Sequence, residues 1–124
     1  MKEKKGHTGQ RAIARALRSY VERKRFLLPS TVKGTLAREL GLDSAALHEY
    51  LMKEKGCDAA RWRTSLRIEW AKALLLAEPE TILREVAARS GFSDRSNFTR
   101  QFLASTGLTP AEWRERQGKE KAAT

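Results

Sequence analysis

Apolar residues recur at helical spacing along almost the whole chain. Over 10–25, Ile13, Leu17, Tyr20 and Val21 fall on one face and arginines on the other, until Pro29-Ser30 breaks the pattern. The same periodicity predicts helices at about 34–40, 44–55, 58–77, 82–90, 94–106 and 110–117, and no segment alternates as a strand would. Two start signals are sharp. Thr109-Pro110-Ala111-Glu112 sets a Thr cap, a Pro at the first helical position and a Glu at the third, and Asp58 holds the matching place before the 58–77 helix. That helix carries Trp62, Leu66, Ile68, Trp70, Ala73, Leu74 and Leu76, so it is apolar around much of its circumference. Residues 1–9 and 118–124 are polar and charged with little to bury, and are expected to be disordered tails. The fold class is all-α, with about seven helices.

The pattern also repeats. Leu36-Ala37-Arg38-Glu39-Leu40-Gly41-Leu42-Asp43 returns in outline as Val86-Ala87-Ala88-Arg89-Ser90-Gly91-Phe92-Ser93. Apolar pairs four apart follow each copy (Leu47/Leu51, Phe98/Phe102), then a second Gly (Gly56, Gly107), then a Trp (Trp62, Trp113). Each copy fits a short helix ended by a left-handed Gly, with Asp43 or Ser93 capping the next helix. Small residues at Ala37 and Ala87 let two helices cross closely. Two helix-turn-helix units are predicted, at 10–57 and 78–117, joined by a linker helix at 58–77. At 1.5 Å per residue this linker spans roughly 30 Å, close to the ~34 Å between successive major-groove faces on one side of B-DNA. The aromatic residues Trp62, Trp113, Phe92, Phe98 and Phe102 recur at matched positions and are expected in the core.

Charge adds a partner. The 124 residues carry a net charge of +10, which favours an anionic partner, nucleic acid first. Residues 1–33 hold ten Lys or Arg against Glu3 and Glu22, so the repeated body is nearly balanced. Within that body Arg61, Arg63, Arg67, Arg95 and Arg100 are the candidate phosphate ligands, with Arg15 and Lys33 outside it. The chain has no apolar run long enough to span a bilayer and no signal-peptide pattern, and Cys57 is the sole cysteine. A soluble, cytoplasmic protein without an internal disulfide is expected.

Several of these segments resemble the DNA-binding domain of AraC/XylS-type transcription regulators over roughly residues 10–117. Leu66-Arg67-Ile68, Ala71 and Leu74-Leu75 are similar to the family's linker helix. Ile82, Glu85-Val86-Ala87, Gly91-Phe92-Ser93-Asp94, Asn97-Phe98-Thr99-Arg100-Gln101-Phe102, Thr106-Gly107-Leu108-Thr109-Pro110 and Trp113-Arg114 follow its second-repeat signature. The resemblance implies two recognition helices in adjacent major grooves of double-stranded promoter or operator DNA, no enzymatic activity and no cofactor. It implies base-reading positions at Ala45, His48 and Glu49 in the first repeat and at Arg95, Ser96, Thr99 and Arg100 in the second. It also implies candidate further partners, namely RNA polymerase and a separate N-terminal effector or dimerisation domain. Glu49 departs from the Arg of many relatives. A carboxylate repels phosphate but accepts a hydrogen bond from cytosine N4, so the first repeat is either a weak reader or mainly a positioning element. Leu103-Ala104 stands where the family often has basic residues.

Catalysis finds no support in the residues. There is no phosphate-binding Gly-rich loop and no nucleophile elbow, and His7, His48 and Cys57 are too few and wrongly spaced for zinc. Asn97-Phe98-Thr99 matches a glycosylation sequon, but inside a predicted recognition helix the match is fortuitous. Two other functions fit the charge: a protein-interaction module whose basic helix at 10–25 docks on an acidic partner, and a non-specific nucleic-acid packaging protein with no sequence preference.

Overall fold

The computed structural model describes residues 9–28 and 35–123. Among them are seven α-helices and no strand: α1 (Gln10–Glu22), α2 (Leu36–Leu40), α3 (Ser44–Glu54), α4 (Ala59–Ala77), α5 (Leu83–Arg89), α6 (Arg95–Thr106) and α7 (Pro110–Ala123). The chain divides into two compact units, the first ending at Arg63 and the second beginning at Thr64. The boundary falls inside α4, so the predicted linker helix gives its first turn to one unit and the remainder to the other. Among the described residues no helix is long and apolar enough to cross a membrane.

In the first unit, α1 buries Ile13, Leu17 and Tyr20 and packs on α3, which buries Leu47 and Leu51. The sequence periodicity extends the first helix to about Arg25, whereas α1 ends at Glu22. Lys24 turns left-handed at φ 55° and a 3₁₀ turn, Arg25–Leu27, follows. The gain is Phe26. A continued helix would carry it, six residues after Tyr20, to the solvent side; the turn instead buries it, with its ring centroid 6.5 Å from that of Tyr20. The Trp62 ring centroid lies 5.8 Å from that of Tyr20. Arg25 pairs with Glu39 of α2 at 3.1 Å. Lys33 lies outside the described residues, as do residues 1–8 of the predicted N-terminal tail.

The second unit is built on a row of rings. Phe92, Phe98, Phe102 and Trp113 follow one another at centroid separations of 5.1, 5.7 and 5.8 Å, the last two edge-on. They pack with Ile68, Ala71, Leu74 and Leu75 of α4 and Val86 and Ala87 of α5. Two polar ties fix the turn between α4 and α5. Glu78 accepts both guanidinium nitrogens of Arg89, at 2.8 and 2.9 Å, together with the Thr81 hydroxyl at 3.1 Å. Arg114 of α7 donates to the Thr81 carbonyl at 2.7 Å. The predicted capping box opens α7, with Thr109 and Glu112 exchanging bonds at 3.0 and 3.1 Å. This helix runs on to Ala123, beyond the end near 117 that its composition predicts. Lys, Glu and Ala are good helix formers, and Arg116 approaches Glu120 one turn on at 3.8 Å.

Both predicted turns are closed by a left-handed glycine, Gly41 at φ 67° and Gly91 at φ 89°. In each, the glycine N–H and the next N–H double back onto the preceding helix. Gly41 bonds Arg38 O and Leu42 bonds Ala37 O; Gly91 bonds Ala88 O and Phe92 bonds Ala87 O. The two turns then differ by one residue. Asp43 caps α3 by accepting from the Ala46 N–H at 2.9 Å, and the cap of α6 is Asp94, which accepts from the Asn97 N–H at 2.7 Å. Ser93, the expected cap, is displaced because the second turn seats an additional residue while Phe92 enters the core.

Two consequences are measurable. Asp94→Ala removes the side-chain acceptor at the start of α6 and is expected to cost about 1 kcal/mol of stability, whereas Ser93→Ala leaves the melting temperature where it was. The Arg89 guanidinium, with help from the Thr81 hydroxyl, holds the Glu78 carboxyl below its ordinary pKa. A depressed carboxyl pKa means that this tie stabilises the fold above the normal carboxylate range and is lost as pH falls through the lowered value. Glu78→Gln should therefore melt earlier than the parent at pH 7, and the gap should close on acidification; a gap independent of pH would exclude the ion pair as its source.

Candidate nucleic-acid interface

A helix that is the second of a helix-turn-helix presents one face to its own core and the opposite face outward. On α6 the inward face is Phe98 and Phe102, both fully buried. Arg95, Ser96 and Arg100 are exposed and Thr99 is half-buried beside them. All four predicted reading positions of the second repeat thus lie on one helix, away from the ring row. Arg100 is not left to swing. Its Nη2 donates to Asn97 Oδ1 at 3.0 Å, and the same oxygen accepts from Gln101 Nε2 at 3.5 Å. The sequence marked Asn97 only within the second-repeat signature and a fortuitous sequon; the signal for this role is its place one turn before Arg100.

On α3 the inward face is Leu47 and Leu51, and Ala45, His48 and Glu49 are exposed, with Glu49 opposite that pair. Counting from the Asp caps, Ala45 corresponds to Ser96, His48 to Thr99 and Glu49 to Arg100. The two helices therefore expose the same face with different chemistry: a short apolar side chain, an imidazole and a carboxylate in one unit, two hydroxyls and two guanidinium groups in the other.

The candidate phosphate ligands divide sharply. Arg61 is exposed at the start of α4, where its N–H is capped by Asp58 at 2.9 Å, and Arg15 is exposed on α1. Arg63 and Arg67, expected at the surface with them, are buried, at 7% and 9% exposure. The cause is helical phase. Positions 63, 67, 71 and 74 recur on one stripe of α4, and Ala71 and Leu74 are core residues, whereas Arg61, Ser65 and Glu69 form the exposed stripe. Charge clustering also passed over Arg38 on α2 and Arg84 on α5, both exposed on the first helix of a turn. Their signal is position, since that helix crosses the backbone in a helix-turn-helix complex. Among the described residues no group of His, Cys, Asp and Glu is placed to hold a metal ion.

A sequence profile of the helix-turn-helix domain matches residues 36–116. The chain is 33% identical over 72 residues to the HTH-type transcriptional activator RhaR of Cronobacter sakazakii, covering 58% of this chain and 25% of RhaR. Against the HTH-type transcriptional regulator ExsA of Pseudomonas aeruginosa it is 33% identical over 85 residues, covering 68% of this chain and 30% of ExsA. The chain thus spans between a quarter and a third of the length of these relatives. Among solved structures, the C-terminal domain of AraT, a response regulator from Geobacillus stearothermophilus, superposes with a TM-score of 0.71 at 27% identity over 84% of both chains. The DNA-binding domain of AdpA, solved with a target DNA, shares the fold at a TM-score of 0.75 and 20% identity, over 90% of this chain and 97% of AdpA's. With two glycine-closed helix turns, a shared α4 and a profile match over most of its length, the chain belongs to the AraC/XylS-type helix-turn-helix family.

Proposed function

We propose that this chain is a sequence-specific double-stranded DNA-binding module of a bacterial transcription regulator. The observation that carries this reading is the matched outward face of α3 and α6, each the second helix of a glycine-closed turn. In this reading Arg95, Ser96, Thr99 and Arg100 meet base edges from α6, and Ala45, His48 and Glu49 meet them from α3. Arg100 is suited to the O6 and N7 acceptors of guanine, because its guanidinium is already oriented by Asn97. Glu49 is suited to cytosine N4. Arg61 and Arg15, with Arg38 and Arg84, supply exposed positive charge for phosphates. The net charge of +10 supports a polyanionic partner, and the resemblance of the fold to a DNA-bound relative agrees with duplex DNA.

Selection from a random duplex library at about 0.15 M salt tests the proposal, since sequence-independent attraction is partly screened there. An enriched motif with two half-sites about 10 base pairs apart is expected. Binding without enrichment that vanishes as salt rises would instead indicate packaging. On the selected site, Arg100→Ala should cost about 1–3 kcal/mol and relax preference at one base pair. Arg61→Ala should weaken all duplexes alike and reduce the salt dependence by about one ion. Neither side chain is buried, so both variants should keep the parent melting temperature.

A further inference from the structure

We infer that Met52 and Leu103 are specificity residues that read thymine methyl groups, one in each half-site. The inference rests on α3 and α6 being the base-contacting helices; it adds Met52, and it gives a role to Leu103, which stands where the family often has a basic residue. Large apolar side chains exposed on these two helices are few. Met52 is 47% exposed and Leu103 is 44% exposed. Counted from the caps Asp43 and Asp94, they occupy the same position of the repeat. Each lies a turn beyond the reading pair of its own helix, His48 and Glu49 in one and Thr99 and Arg100 in the other, roughly 100–140° around the helix from the buried Leu47/Leu51 and Phe98/Phe102.

A single exposed Leu needs no explanation, but the recurrence here does. The copies have diverged at the other outward positions in size, polarity and charge: Ala45 against Ser96, His48 against Thr99, Glu49 against Arg100. Only at this position do both keep a long, flexible, uncharged side chain. Neither copy of it belongs to the buried core. A phosphate has no attraction for it. The feature of a major groove that rewards an apolar group is the C5-methyl of thymine. The placement fits. A rise of 1.5 Å per residue sets Leu103 about 4.5 Å along α6 from Arg100, little more than one base-pair step of ~3.4 Å, so both side chains address one half-site.

Deoxyuridine lacks only the methyl and isolates the contact. At each thymine of the selected site in turn, deoxyuridine is substituted and the affinity of the parent protein is compared with Met52→Ala, Leu103→Ala and the conservative Leu103→Met. One substitution per half-site should weaken the parent about fourfold, the worth of one buried methyl. Leu103→Ala should bind the thymine and deoxyuridine duplexes equally at one of these positions and keep the parent's response at the other. Met52→Ala should do the reverse, and Leu103→Met should retain the parent's response at both. Parent affinity indifferent to deoxyuridine at every position would overturn the inference while leaving the selected motif, and so the base-reading role, intact. So would alanine variants that keep the full response. A response in one half-site only supports the contact for that repeat and overturns it for the other. The absence of any selected motif would overturn the base-reading role of both helices and this inference with it.

Discussion

Everything outward-facing in this protein depends on two sharp reversals of a helical chain, at Gly41 and Gly91. A helix ended without reversal would leave its last carbonyls unsatisfied and send the next helix past the first rather than across it. A residue with φ near +67° or +89° lets two successive N–H groups return to those carbonyls, and glycine adopts that conformation without steric cost. The carbonyls reached by the residue after the glycine belong to Ala37 and Ala87, both nearly inaccessible to solvent. The small side chain and the left-handed glycine are therefore parts of one device: one turns the chain and the other lets the turned helix close down. The Asp cap that follows starts the second helix with its N–H groups satisfied and fixes which residues face outward.

Each unit then holds its second helix from behind. In the first, Leu47 and Leu51 lie in a core completed by Tyr20, Phe26 and Trp62. In the second, Phe98 and Phe102 stand in the middle of a row of four rings, and the bidentate Glu78 and Arg89 pair anchors the turn that precedes α5. Rigidity of this kind matters for recognition, because hydrogen bonds to base edges discriminate only when the donor is already in place. The Asn97 to Arg100 bond extends that order from the backbone to the guanidinium itself.

Much of this was legible in the residues because local rules govern it. Helix existence followed from the 3.6-residue period, the turns from Gly41 and Gly91, the start of α7 from Thr109 to Glu112, and the inward faces of α3 and α6 from apolar pairs four apart. Where two local signals competed, sequence alone was a weaker guide. The repeat aligned on its glycines gives Ser93 as a cap, whereas the repeat aligned on Leu47/Leu51 and Phe98/Phe102 gives Asp94. The packed rings decide between them, since moving Phe98 by one residue would take it off the core. The α4 arginines show the same limit: as a charge cluster they look like surface, and only their phase with Ala71 and Leu74 takes Arg63 and Arg67 inside.

The sequence by itself determined an all-helical chain with two copies of one turn, the residues that close each turn, and the family to which the pattern belongs. These are properties of near neighbours along the chain, set by backbone conformation, capping and periodicity. Tertiary structure decided what depends on distant residues meeting. It broke the first helix at Lys24 so that Phe26 could reach Tyr20, joined Glu78 to Arg89 across the turn before α5, and sorted the arginines of α4 into exposed and buried stripes. Burial is the physical reason. A side chain's accessibility is fixed by what packs over it, and neither charge clustering nor helix propensity records which stripe of a helix will be covered.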